Sequence, residues 1–325
     1  MSQCLNADKT RSTSFRPIKN STYMTKNNTL LAWQSTRRRK LFVAIGLTLF
    51  LLLPLRATVT VLHSFSDPEG SYPYGSLLRT GSLLYGMTTG DGGGTGVLFR
   101  MNTDGTGFGT LHTFTGGSSD GRLPYGSLTE SGAKLFGITY SGGVLNAGTI
   151  FTVNTDGTGF SLLHSFTSFP NDGGLPINSL TLAGTKLYGA TYSGGSSFNG
   201  TIFSINTDGT GYSLLHNFTG GANGGANPLG TLVLSGTKLY GSSCNGGVGN
   251  KGTLFSVNTD GTGFSLLHTF TGGVNDGVDP RASLTLVGSK LYGTTIFGGA
   301  SDAGTLFSIN TDGSGFGLLH SFSQT

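Results

Sequence analysis

The chain is poor in charge, cysteine and tryptophan, and past residue 57 it is nearly devoid of glutamate. Only 10% of its 325 residues are charged, with two cysteines and a single tryptophan. Cys4 and Cys244 fall on opposite sides of residue 57. The body of the chain therefore holds one thiol and no internal disulfide, and packing has to stabilise it. Glu69 and Glu130 are the only glutamates after that point, and neither has an evident partner. No serine or cysteine departs from its repeat-mates as a nucleophile would, so no catalytic residue is identifiable. No stretch past residue 57 shows a 3.6-residue period, which leaves no amphipathic helix to predict.

Positive charge is also missing where the overall value of +4 implies it. Ten of the 19 Lys and Arg residues lie in residues 1–57, against Asp8 as the only acid there. The remaining 268 residues keep 9 basic and 14 acidic side chains, a net charge of −5. That region has no electrostatic footprint for nucleic acid. Arg37-Arg38-Arg39-Lys40 precedes Leu41–Leu55, fifteen residues that are apolar apart from Gly46, Thr48 and Pro54, and then Leu55-Arg56-Ala57. A basic cluster, an apolar core and a small residue form the pattern of a secretory signal. Arg56 and Leu55 suit cleavage poorly, and an uncleaved signal-anchor is the alternative, although fifteen residues is short for about 30 Å of hydrocarbon. Either way the expectation is an exported protein, extracellular, periplasmic or at the cell surface, meeting a membrane only through this segment. Met24 is an alternative start.

What the chain has in abundance is glycine, 57 residues, and self-similarity. Leu-His-[Ser/Thr/Asn]-Phe occurs six times, with histidines at 63, 112, 164, 216, 268 and 320; the last five are 52 residues apart. A fixed period of this size marks a repeat architecture. Within a unit, YGSLTE (125–130), KLFGITY (134–140), TIFTVN (149–154) and FSLLHSF (160–166) read as four short strands separated by Gly, Asn and Asp turns. A linker of about a dozen residues, TSFPNDGGLPIN, then leads on. Four strands and one long return per unit predict an all-β, β-propeller-like tandem repeat; a solenoid coil is usually shorter. Five units are expected at 74–114, 125–166, 177–218, 229–270 and 281–322, with an extra fourth-type strand, Thr58–Phe65, ahead of them. The last unit already owns its fourth strand, so the surplus one has no place in a usual ring closure.

The repeated histidines resemble a metal set, but the two-residue alternation of a strand puts His164 on one face with Phe160, Leu162 and Phe166. They are therefore expected to be packed, hydrogen-bonded core residues, and no metal or cofactor is expected. Asn-Thr-Asp-Gly-[Thr/Ser]-Gly recurs at 102–107, 154–159, 206–211, 258–263 and 310–315. Each copy has one carboxylate, whereas calcium loops gather several oxygen ligands. A hairpin whose Asp caps its own turn accounts for the motif.

One face of the array varies while the other does not. The first-to-second and third-to-fourth hairpins repeat almost letter for letter. The second-to-third loops (GDGGGTG, SGGVLNAG, SGGSSFNG, NGGVGNKG, FGGASDAG) and the linkers diverge. Repeat proteins tend to bind through one loop face. Candidate ligand residues are therefore Asp120, Asp172 and Asp276 in the linkers, Asn146, Asn199, Asn250 and Asp302 in the loops, and the neighbouring Tyr140 and Tyr192. Amides beside aromatics suit a glycan or a protein partner; a purely structural surface component and a secreted hydrolase or lyase are the rival readings.

The string LYGATYSGG…NGTIFSINTDGTGYSLLHNF (187–218) resembles the tandem repeat of the choice-of-anchor GloVer-containing proteins. The likeness covers residues 58–325 in five copies. It implies an exported bacterial protein of unknown activity, commonly with an anchoring tail. No such tail follows Phe322 here, which turns the expectation toward release or N-terminal anchoring.

Overall fold

A computed structural model describes residues 59–66, 68–90 and 93–323. The leader, with its proposed signal and apolar core, lies outside the described residues. Among them no helix is present, and hence none is long and apolar enough to cross a membrane.

Each unit folds as one antiparallel meander of four strands, in sheet order one to four. The first sheet is Leu78–Thr80, Leu83–Thr88, Val97–Asn102 and Gly109–Thr113, and the second is Thr129–Ser131, Lys134–Thr139, Thr149–Asn154 and Ser161–Ser165. The third comprises Thr181–Ala183, Lys186–Thr191, Thr201–Asn206 and Ser213–Asn217. In the fourth the meander is Val233–Ser235, Lys238–Gly246, Thr253–Asn258 and Ser265–Thr269, and Gly225–Pro228 of the linker pairs with the long second strand as a fifth. The fifth consists of Thr285–Val287, Lys290–Thr295, Thr305–Asn310 and Gly317–Ser321. The Asp-Gly turns work as the sequence predicts. In the second sheet Asp156 Oδ1 accepts from Thr158 N and Thr158 Oγ1, and Asn154 Nδ2 donates to Thr158 Oγ1. Gly157 supplies the positive φ of +92° that the turn needs.

The core lies between consecutive sheets, not within any one of them. Phe136, Ile138, Ile150 and Phe166 of the second sheet meet Leu180, Leu187, Phe203 and Ile205 of the third. The same arrangement joins the first sheet to the second, the third to the fourth and the fourth to the fifth. We call the side of a sheet toward the following unit its forward face and the opposite side its rear face. Hydroxyls stitch the first strands together as well: Ser127 N donates to Ser179 Oγ, Ser179 N to Thr231 Oγ1 and Thr231 N to Ser283 Oγ.

Two expectations need amendment. Simple alternation along the fourth strand fails, because a β-bulge falls at every fourth-strand ladder. In the second sheet Leu162 opposes Phe151 and His164 opposes Ile150, with Leu163 extra. The extra residue inverts the facing of the residues after it. Phe160 and Leu162 thus pack rearward against the first sheet, while Leu163 and Phe166 pack forward. Second, the N-terminal segment carries no strand over the described residues 59–66, although His63 and Phe65 occupy fourth-strand places against the first sheet.

Candidate functional site

The linker carboxylates are tied to the repeated histidines. His112 Nε2 lies 3.1 Å from Asp120 Oδ1, His164 Nε2 lies 3.0 Å from Asp172 Oδ2, and His268 Nε2 lies 3.1 Å from Asp276 Oδ1. Each ring also stacks on an aromatic of the following sheet: His112 on Phe160, His164 on Tyr212 and His268 on Phe316, with centroids 3.7–3.8 Å apart. Asp172 further accepts from Thr167 N, Gly173 N and Tyr212 Oη. Burial raises the pKa of these aspartates, but the histidine and backbone hydrogen bonds outweigh it and leave all three below the ordinary carboxyl value. Burial next to Asp172 holds the Tyr212 phenol protonated far above its usual range. Asp172 therefore cross-links strand, linker and next sheet, whereas Asp120 and Asp276 tie strand to linker and reach the next sheet only through the stacked histidine.

The fourth unit lacks this device, since Gly224 stands where the others have aspartate. His216 still stacks on Phe264 at 3.6 Å, and burial pushes its imidazole down to about 4. In the unfolded chain this histidine binds a proton below about 6.5, and in the folded chain only near 4. Stability is thus lost as pH falls through that window. Urea unfolding at pH 7.5 and 4.5 is expected to show a loss on the order of 2 kcal/mol, after allowing for solvent screening, with His216→Gln flattening the slope. An unchanged slope in that variant rejects this origin for the acid sensitivity.

The loop candidates separate into two kinds. Asn146, Asn250 and Asp302 sit at positive φ (55°, 56° and 52°), and each side-chain Oδ1 accepts from a loop glycine, Gly142, Gly246 and Gly298 respectively. Asn and Asp tolerate this conformation and cap such loops. Asn199 is not their equivalent. It is offset by one position, and its carbonyl accepts from Asn227 N of the next unit. The residue that takes the left-handed position in this loop is Phe198, at φ 56°. A bulky aromatic there is a true outlier.

Phe198 is 55% exposed, and its ring stacks on that of Phe169, itself 50% exposed, at 4.7 Å and 11°. Phe169 belongs to a linker that also breaks the pattern, TSFP where the other units have TGG, and its neighbour Ser168 has a φ of 70°. Sequence reasoning missed this pair. The signal was present, since both residues are departures from their repeat-mates on the variable side. The loops and linkers of other units also expose Val144, Leu145, Val248 and Val274.

Tyr140 belongs to a second aromatic row on the same face, near the first strands: Tyr74 and Tyr125 are 5.3 Å apart, and Tyr125 and Tyr140 are 5.7 Å apart. Burial raises the phenol pKa of Tyr125 and Tyr140. Tyr192 is buried, and its carbonyl accepts from Asn227 Nδ2. By repeat position Asn227 and Asp279 stand where earlier units have Leu123 and Leu175, and Asp279 is paired to Arg281 at 2.7 Å. Among the described residues no cluster of His, Cys, Asp and Glu is arranged to hold a metal ion.

Five tandem four-stranded meanders sharing sheet-to-sheet cores, with one variable loop face, define a propeller-like β-repeat protein. The chain belongs to the Gloeobacter/Verrucomicrobia repeat family, whose pattern matches residues 46–197 and 170–325. Among solved structures it is similar to one in a nidogen/laminin complex, at 16% identity and a TM-score of 0.45 over 75% of this chain and 76% of that one. TolB from Acinetobacter baumannii is similar at 12% identity and a TM-score of 0.44; 75% of this chain aligns, spanning about half (53%) of that protein. TolB from Agrobacterium tumefaciens gives 14% identity and a TM-score of 0.43 over 74% and 77%. No curated protein matches the sequence.

Proposed function

We propose that this is an exported binding scaffold whose variable loop face takes a glycan, with the Phe169–Phe198 stack as its anchor. The exposed ring pair, held on a strained backbone and found in one unit only, carries the reading. Flat apolar rings exposed in parallel suit the apolar face of a sugar ring, and local strain of about 1–3 kcal/mol persists in folds chiefly where function uses it. The tyrosine row adds phenol hydroxyls as hydrogen-bond donors and acceptors on the loop side. Export follows from the basic cluster and apolar core of residues 37–57.

A glycan array probed with the full chain tests this. The expected result is a discrete set of hits, lost on Phe198→Ala or Phe169→Ala at an unchanged melting temperature. Hits that survive both substitutions move the ligand elsewhere, and an array without hits rejects the glycan reading.

A further inference from the structure

We propose that the forward face of the fifth sheet docks on the rear face of the first sheet of a second copy, displacing a tethered strand mimic, Leu62-His63-Ser64-Phe65. This does not rest on the glycan reading, and it concerns a different surface.

Inside one chain, neighbouring sheets lock together through the same few contacts at every junction. A fourth-strand leucine packs over the Asp-Gly turn of the following sheet: a Cβ on Gly157 would lie 3.0 Å from Leu111 Cδ2, and one on Gly209 would lie 3.3 Å from Leu163 Cδ2. Leu215 and Leu267 lie in the same way against Gly261 and Gly313. The next residue, histidine, stacks on the aromatic after that turn, and the phenylalanine two further on fills the shared core. Near the first strands, a proline of each following unit closes on a loop glycine of the preceding one. Pro124 abuts Gly96, Pro176 Gly148, Pro228 Gly200 and Pro280 Gly252.

At the two ends of the array these parts are left over in complementary halves. On the fifth sheet, Leu319 is 52% and Phe322 43% exposed, whereas Phe166, Phe218 and Phe270 are wholly buried. His320 keeps only its edge contact with Phe322 among the described ring pairs, and no proline of the described residues closes on Gly304. On the first sheet, Pro73 has no preceding loop glycine among the described residues, and Tyr74 and Leu77 beside it are exposed. Every piece missing from one end is offered by the other.

One part of the first sheet's rear face is already covered, by the chain itself. Leu62 lies against Gly105, with its carbonyl oxygen 2.7 Å from where a Cβ would be. His63 stacks on Phe108 at 4.0 Å and 5°, and Phe65 meets Phe99 edge-on at 5.1 Å. These are the places that a preceding sheet's fourth strand would hold. The sequence makes the mimicry literal: Leu-His-Ser-Phe-Ser occurs at 62–66 and again at 319–323. The two copies compete for one site. The tethered one has the advantage of high effective concentration, so it protects the first sheet from the exposed end of another molecule. Because the contact is heterologous, repeating it builds a closed ring of copies or an open file.

Sedimentation velocity over a concentration series distinguishes the outcomes. The full chain with Leu62→Ser and Phe65→Ser, checked for an unchanged β-sheet spectrum, is expected to self-associate at concentrations roughly tenfold below any association of the parent. Adding Leu319→Asp, a change at an exposed residue, is expected to return it to single copies, as is an excess of a synthetic peptide of residues 61–66. A variant that stays single, associates regardless of Leu319→Asp, or becomes more compact without gaining mass overturns the proposal. If the double variant unfolds, His63→Ala, which removes the ring on Phe108 together with its contacts to Phe65 and Glu69, is measured in its place, and the same results support or overturn the proposal.

Discussion

Asp172→Ala is expected to destabilise the array by about 3–5 kcal/mol, read as a fall in the urea midpoint at pH 7. The magnitude reflects the number of donors the carboxylate satisfies. It accepts from His164, Tyr212 Oη, Thr167 N and Gly173 N at one buried point where a linker, a fourth strand and the next sheet meet. Removing the acceptor strands several donors, and unpaired buried donors cost more than the bonds contributed. Asp156→Ala is the control, because its carboxylate caps an exposed turn and its loss should lower the midpoint far less. The pH dependence has a definite sign. The carboxyl is held below its ordinary value in the fold, so its contribution is complete above that value and disappears as pH falls through the lower one. The parent should therefore approach the variant's stability only in strong acid. Equal losses for the two substitutions would mean that the buried network contributes little.

Gly241→Val is expected to cost about 3 kcal/mol or more, or to prevent folding. Gly241 faces Phe255 across the ladder, and any Cβ there would lie 2.5 Å from Phe255 Cζ and 3.0 Å from Leu232 Cδ2. Neither neighbour has room to yield, since Phe255 is wholly enclosed and Leu232 nearly so. Overpacking of this kind usually costs about 1–3 kcal/mol, and a rigid site takes the upper end. Gly236→Ala probes backbone conformation instead. That residue sits in an open hairpin at φ 57°, with nothing near its would-be side chain, so a modest loss of about 1 kcal/mol is expected. Thermal melts of the two variants compare them directly. A larger effect at Gly236 would put turn conformation, not the ring, in control of the Leu-Tyr-Gly pattern.

The period, the four strands per unit and the self-capped Asp-Gly turns were all legible in the sequence, because each rests on local chemistry repeated five times. The faces of the fourth strand were not. Alternation assigns His164 to the side of Phe160, and a bulge at Leu163 reverses it; bulges have no reliable sequence mark in so uniform a strand. His164 and Asp172 were each singled out, but as core and ligand residues respectively. The spacing of eight that they share with His112–Asp120 and His268–Asp276 was the sign that they belong to one another. Asn199 was grouped with Asn146 by type, whereas counting from the double glycine aligns Phe198 with Asn146. The glycan-facing role proposed for Phe169 and Phe198 rests on departures from the repeat that composition alone does not rank.

In every unit one face is made to receive what the other face of the preceding unit offers. Such a design places no requirement on the number of units. Deleting one 52-residue stretch, or copying it, rejoins surfaces that already fit, and no new core has to be invented. A ring that must close permits only certain totals, because each neighbour fixes the angle of the next. Here the terms of assembly are set pair by pair, so length is free to change by recombination while every junction stays the same. Departures such as the paired phenylalanines can then accumulate on one loop and its neighbouring linker without disturbing the other units.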